Sequence, residues 1–112
     1  GVAMHEHAMP YKKIVFVCVN QRPSGERVCC AGGGGLVLYA KLKNMIKERG
    51  LRGRVRVSKA GCLDRCEDGP NIMVFPDNVW YSHVAEADLE PLVTRLVESL
   101  RAEGQLPRNY GG

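Results

Sequence analysis

No long hydrophobic run occurs in this 112-residue chain. The first apolar stretch, Ile14 to Val19, is far too short for a signal-peptide core or a bilayer span. That sets aside a membrane partner and a secretory leader, and makes the cytoplasm, where thiols stay reduced, the expected location. Charge of one sign is not concentrated: the net charge is +4, spread along the chain. Arg52, Arg54 and Arg56 alternate as one strand face would. The run is short and has no interleaved aromatics, so it reads as a solvated face and no nucleic-acid partner is expected. Repeats and linkers are absent, and so is the C-x-x-C pair of thiol oxidoreductases. What remains is an ordinary globular balance, 45% hydrophobic and 25% charged. At this length a single domain can bury a core without disulfides.

The concentrated chemistry is cysteine. Five occur, at Cys18, at Cys29 and Cys30, and at Cys62 and Cys66. In a reducing compartment such a set argues for metal or redox chemistry, and a disulfide framework would leave one thiol over. Four can be taken as two pairs, Cys18 with Cys30 and Cys62 with Cys66, each on a glycine-rich loop.

Residue patterns predict the elements. Tyr11 to Cys18 is β-branched and apolar and reads as a buried strand, broken by Asn20 and Pro23. Asn20 to Gly35 is a loop. Leu36, Leu38, Tyr39, Leu42, Met45 and Ile46 recur at helical spacing, predicting a helix from Leu36 to Arg49 with Gly50 just past its end. Arg54 to Ser58 alternates as a strand. Gly61 to Pro70 is a second loop, Asn71 to Phe75 a buried strand, Pro76 to Asn78 a turn and Val79 to Tyr81 its return strand. A last helix runs from about Glu86 to Arg101, its regular part starting near Leu89 or Glu90 because Pro91 falls in the first turns. Residues 1–10 lack periodicity and are expected to be a disordered, processed or appended segment. The domain is expected over 11–104, with a loose tail over 105–112.

The order β-α-β then β-β-α makes an α/β fold, thioredoxin-like, with a mixed four-stranded sheet and two main helices. On this plan the end of the first strand and the loop into the hairpin lie at the same end of the sheet, so the cysteine groups can converge. Thioredoxin-type catalysis lacks its motif here. Structural zinc takes four cysteines, with tighter usual spacing. An iron–sulfur cluster takes four thiolates over two irons and tolerates the wide Cys18 to Cys30 spacing. A 2Fe-2S site would carry roughly −2 oxidised and −3 reduced. Glycines 32–35 lead into a helix N-terminus that favours an anion, and Gly61 and Gly69 permit tight folding around Cys62 and Cys66. Arg22, Arg27 and Arg65 either serve that charge or are solvated loop residues. His5 and His7 lie in the N-terminal segment. His83 is not needed beside four cysteines, and Trp80 is a strand aromatic that could also anchor a partner. Pro70 stands where thioredoxin folds keep a cis proline.

From Lys13 to about Leu100 the chain resembles the thioredoxin-like 2Fe-2S ferredoxins, relatives of the small 2Fe-2S subunits of respiratory complex I and hydrogenases. The resemblance rests on Phe16-Val-Cys-Val-Asn20 with Arg22-Pro23, Cys30-Ala31, Gly61-Cys62 with Cys66, Gly69-Pro-Asn71 and Pro76 to Tyr81. It implies one 2Fe-2S cluster per chain, with Cys18 and Cys30 on one iron and Cys62 and Cys66 on the other. It further implies one-electron transfer between redox partner proteins, no substrate turnover and, often in the family, a homodimer. The first loop is a residue shorter than the family spacing, and Cys29 stands where the family often has a small polar residue. Cys30 is assigned as the ligand because Ala31 and the glycines follow it, leaving Cys29 a spectator thiol. Two other functions stand beside the carrier. One is a protective, Shethna-like protein that binds a partner enzyme when oxidised. The other is a structural domain built on zinc held by four cysteines.

Overall fold

A computed structural model describes residues 4–19, 34–61 and 69–111 of the chain. The element order is β1 (Lys13–Cys18), α1 (Gly35–Glu48), β2 (Val55–Ala60), β3 (Ile72–Phe75), β4 (Val79–Tyr81), a 3-10 turn (Glu86–Asp88) and α2 (Leu89–Ala102). The strands form one sheet in the order β2-β1-β3-β4. β1 and β2 are parallel, and β3 is antiparallel to both β1 and β4. This is the α/β, thioredoxin-like plan expected from the sequence, and the helix and strand bounds agree to within two residues.

Period-two alternation sorts the strands into two faces. Val15 and Val17, Val55 and Val57, and Ile72 and Val74 are buried in one contiguous core. That core also takes Leu38, Leu42 and Ile46 from α1 and Leu89, Leu92, Val93, Leu96 and Leu100 from α2. Both helices therefore lie on the same side of the sheet. Leu36, grouped with the apolar face of the first helix by spacing, is instead 52% exposed. Leu38, Leu42 and Ile46 already fill the stripe facing the sheet, and Leu36 falls outside it.

The C-termini of both helices close in the same way. Gly50, at φ 69°, lets its own N–H reach the Lys47 carbonyl and the Leu51 N–H reach that of Ile46. Gly104, at φ 70°, repeats the pattern with Arg101 and with Gln105 to Leu100. Both are Schellman caps, which need a left-handed residue that glycine adopts without a Cβ clash. Leu51 then folds back into the core. Beyond α2, the Tyr110 hydroxyl donates to the Arg49 carbonyl at 2.8 Å and Arg54 donates to the Gln105 carbonyl at 2.5 Å.

One buried charge ties the far end of the sheet together. Lys13 opens β1, is 1% exposed and points to the helix side. Its Nζ meets Asp77 Oδ1 of the β3–β4 turn at 2.5 Å, Ser99 Oγ of α2 at 2.9 Å and Glu103 Oε2 at 3.3 Å. Burial pulls the Lys13 pKa down, but the hydrogen bonds and charges of Asp77 and Glu103 outweigh it and hold the group above 10.5. The folded state thus prefers the protonated amine. Its contribution to stability is complete below pH 10.5 and is lost as pH rises through the higher folded value. Asp77→Ala is expected to lower unfolding stability by about 3 kcal/mol, the lower end of the cost of stranding a buried charge, since Glu103 and Ser99 remain. Denaturant titration checks this, and Lys13→Met should remove the part of the alkaline loss that belongs to this group.

Candidate metal centre

Cys18 is the last residue of β1, fully buried and unpaired as a disulfide. It is not part of the contiguous hydrocarbon core. Alternation puts it on the same side as Ile14 and Phe16, away from the helices. Its backbone N–H donates to the Asn71 carbonyl at 3.1 Å, and its register partner on β2 is Ala60. The next residue, Val19, donates its N–H to the Ala60 carbonyl at 3.0 Å.

That register places three chain points side by side. β1 ends at Cys18, β2 ends at Ala60 with Gly61 following, and Asn71 leads into β3. The segments 20–33 and 62–68 begin or end at these points, and they carry the other four cysteines. Cys29, Cys30, Cys62 and Cys66 lie outside the described residues, as do Arg22, Arg27, Arg65 and glycines 32 and 33. Among the described residues no cluster of three or more His, Cys, Asp or Glu side chains is placed to hold a metal.

α1 contributes to the same end. It runs back from the end of β1 to the start of β2, so its N-terminus lies on the cysteine side. Gly34 precedes it at φ 99°, with no side-chain cap, and no acidic residue stands in its first turn. Among the described residues no capping side chain or first-turn carboxylate offsets its partial positive charge. The donor chemistry fits a thiolate-bound anionic centre: a buried thiol at a strand end and an uncapped helix N-terminus at the same end.

Other residues named from the sequence are placed as follows. The Gly69–Pro70 peptide bond is cis, and so is Phe75–Pro76, which nothing in the sequence singles out. His83 is exposed, and His5 and His7 are exposed in the N-terminal segment. Trp80 pairs with Met73, is 41% exposed, and donates its indole N–H to Asn71 Oδ1 at 3.1 Å. Asn71 is itself fully buried beside Cys18. The sequence places Asn71 at the start of a buried strand and in the Gly69-Pro-Asn71 motif, but its hydrogen bond with Trp80 depends on hairpin pairing that no local pattern shows.

Fold and site together define a thioredoxin-like α/β protein in which Cys18, Ala60 and Asn71, the described points nearest the two cysteine-bearing segments, lie side by side at one end of the sheet. The fold occurs in known proteins. The chain is 33% identical over 85 residues to a 2Fe-2S ferredoxin of Aquifex aeolicus, covering 74% of this chain and 77% of that protein. It is 29% identical over 89 residues to a 2Fe-2S ferredoxin of Clostridium pasteurianum, covering 79% and 87%. The crystal structure of the wild-type thioredoxin-like 2Fe-2S ferredoxin from Aquifex aeolicus superposes with a TM-score of 0.73 at 31% identity, over 79% of this chain and 87% of that one. No protein-family model matches. The chain belongs to the thioredoxin-like 2Fe-2S ferredoxin family. Ferredoxins are iron–sulfur electron carriers.

Asn71 links this end to the hairpin through Trp80. Asn71→Ala is expected to cost about 1–3 kcal/mol, the range for disturbing a buried hydrogen-bonded group. Urea unfolding measures the loss, and a shift in the emission of the lone tryptophan reports its altered setting.

Proposed function

We propose that the chain is a one-electron carrier holding one 2Fe-2S cluster on Cys18, Cys30, Cys62 and Cys66. It would pass electrons between a reductase and an acceptor enzyme and transform no substrate itself. The observation that carries this reading is the register Cys18 to Ala60, which sets the two cysteine-bearing segments off from neighbouring points. Cys62 is one peptide, about 3.8 Å between Cα atoms, from Gly61. The cluster supplies reversible one-electron chemistry at iron. The residues' part is to donate thiolates, to present α1's N-terminus to net negative charge and to hold the Cys18 strand end rigid within the sheet. A reducing cytoplasm suits the free Cys18 thiol. No helix among the described residues is long and apolar enough to cross a membrane.

Purified protein tests the reading. Iron and acid-labile sulfide in equal amounts, with visible bands that bleach on reduction, are expected. Colourless protein containing zinc would defeat it. Cys18→Ser, Cys30→Ser, Cys62→Ser and Cys66→Ser are each expected to lower cluster content or shift the spectrum. Cys29→Ser should leave both unchanged, and equal loss in Cys29→Ser and Cys30→Ser would overturn the ligand assignment. Partner behaviour then separates carrier from protector. Catalytic electron throughput supports the carrier, whereas a stable complex that forms on oxidation and arrests the partner supports the Shethna-like role.

A homodimer is part of the same proposal. On the face opposite the helices, Ile14, Phe16 and Met73 are half-buried while Phe75 and Trp80 are 45% and 41% exposed. No described helix packs on this apolar patch, and such a patch suits a self-complementary two-fold contact. Light scattering is expected to give twice the chain mass, and Phe75→Glu should halve it without changing the visible spectrum.

A further inference from the structure

The outer edge of the sheet carries a basic groove that the electron-carrier reading does not use. β2 has a strand neighbour on one side only among the described residues. Along its free edge runs a groove walled by α1 on the helix side and by Tyr11, Arg56 and Ser58 on the other. Lys43, Lys47, Arg52, Arg56 and Lys59 line it, and no Asp or Glu does. Among the described residues none of these five cations makes an ion pair. Their aromatic partners are tyrosines: Lys43 and Lys59 each lie 5.5 Å from the Tyr39 ring, and Arg56 lies 5.9 Å from that of Tyr11.

The spacing is as telling as the charge. Tyr39, Lys43 and Lys47 recur every fourth residue, so they form one row on α1, with Lys43 and Lys47 about 6 Å apart along the axis. Alternate residues of an extended strand lie about 6.6 Å apart on one side. A strand laid along β2 would therefore bring acidic side chains at alternate positions against Lys43 and Lys47 in step. Its other side would face Arg56 and Tyr11. Free backbone groups of an edge strand give such a segment its main-chain hydrogen bonds.

We propose that the β2 edge is a docking site for a partner protein, which adds an extended segment with acidic residues at alternate positions. The groove ends at Lys59, next to Ala60 and so next to Cys18. A partner held there would stand beside the cysteine end of the sheet. Docking at this edge needs no cluster, and its test is read separately from cluster content. Nucleic acid is the competing polyanion, but it carries neither strand donors nor a period-two array of carboxylates.

The probes are dye-labelled peptides of about ten residues, long enough to span the groove. One alternates glutamate with threonine. A second replaces each threonine with proline, which keeps the charge and removes backbone donors. A single-stranded oligonucleotide of matched charge is the third. Fluorescence anisotropy at low salt is expected to show binding of the first peptide at least about tenfold tighter than either of the others, weakening as salt rises. Lys43→Glu with Lys47→Glu, both exposed, should abolish that binding while circular dichroism and the visible spectrum stay as in the parent. Amide hydrogen exchange at β2 should slow on addition of the first peptide. Equal binding of the proline peptide would reduce the groove to unspecific charge and overturn strand addition. Tighter binding of the oligonucleotide, or no binding of any probe, would overturn the proposal outright.

Discussion

The parallel pairing of β1 with β2 is the constraint on which the rest of the molecule depends. A parallel pair cannot be closed by a tight turn, so the chain must travel back the length of the sheet before it can pair. α1 makes that return. Fourteen helical residues span about 21 Å, close to the length of a six-residue strand. The register that follows aligns Lys13 with Val55 at one end and Cys18 with Ala60 at the other. A slip of one residue would turn Val55 and Val57 out of the core and separate the two strand ends. Packing and site geometry are thus set by the same six pairings.

The two ends of the sheet are chemically unlike. One end is stitched by Lys13, whose charge is matched by Asp77 and Glu103 from two other elements. The other end has a buried thiol, a buried asparagine and an uncapped helix N-terminus. The first arrangement is closed on itself, because each group finds its partner within the fold. At the second, the free thiol and the uncapped amides suit a bound anion. Between them lies a core of aliphatic side chains held by both helices on a single sheet face.

Much of the fold was legible in the sequence because its signals are local. Hydrophobic spacing marked both helices, and Gly50 marked a helix end. Pro76, Asp77 and Asn78 marked the hairpin turn, where Asn78 takes φ 61°. The misses come from side chains whose role is decided by distant partners. Lys13 carries no signal of its own in the sequence, because Asp77 and Glu103 lie far along the chain and only the fold brings them to it. Leu36 and Phe75 satisfy the apolar pattern yet face outward, because period alone cannot say where a stripe or a covered face ends. Of the site, the cysteine types and their grouping were readable. The neighbourhood of Cys18 with Ala60 and Asn71 was not, because strand register is a long-range property. The basic groove was hidden in the same way: its tyrosines interleave with lysines and arginines in space, not along the chain.

The aliphatic core holds no cysteine among the described residues. Small zinc-finger domains, by contrast, draw their folding energy from the metal itself. Here sheet and helices have a hydrocarbon core of their own, so the drive to fold does not rest on the bound group alone. The fold keeps the energy that builds the scaffold apart from the chemistry of its inorganic cargo.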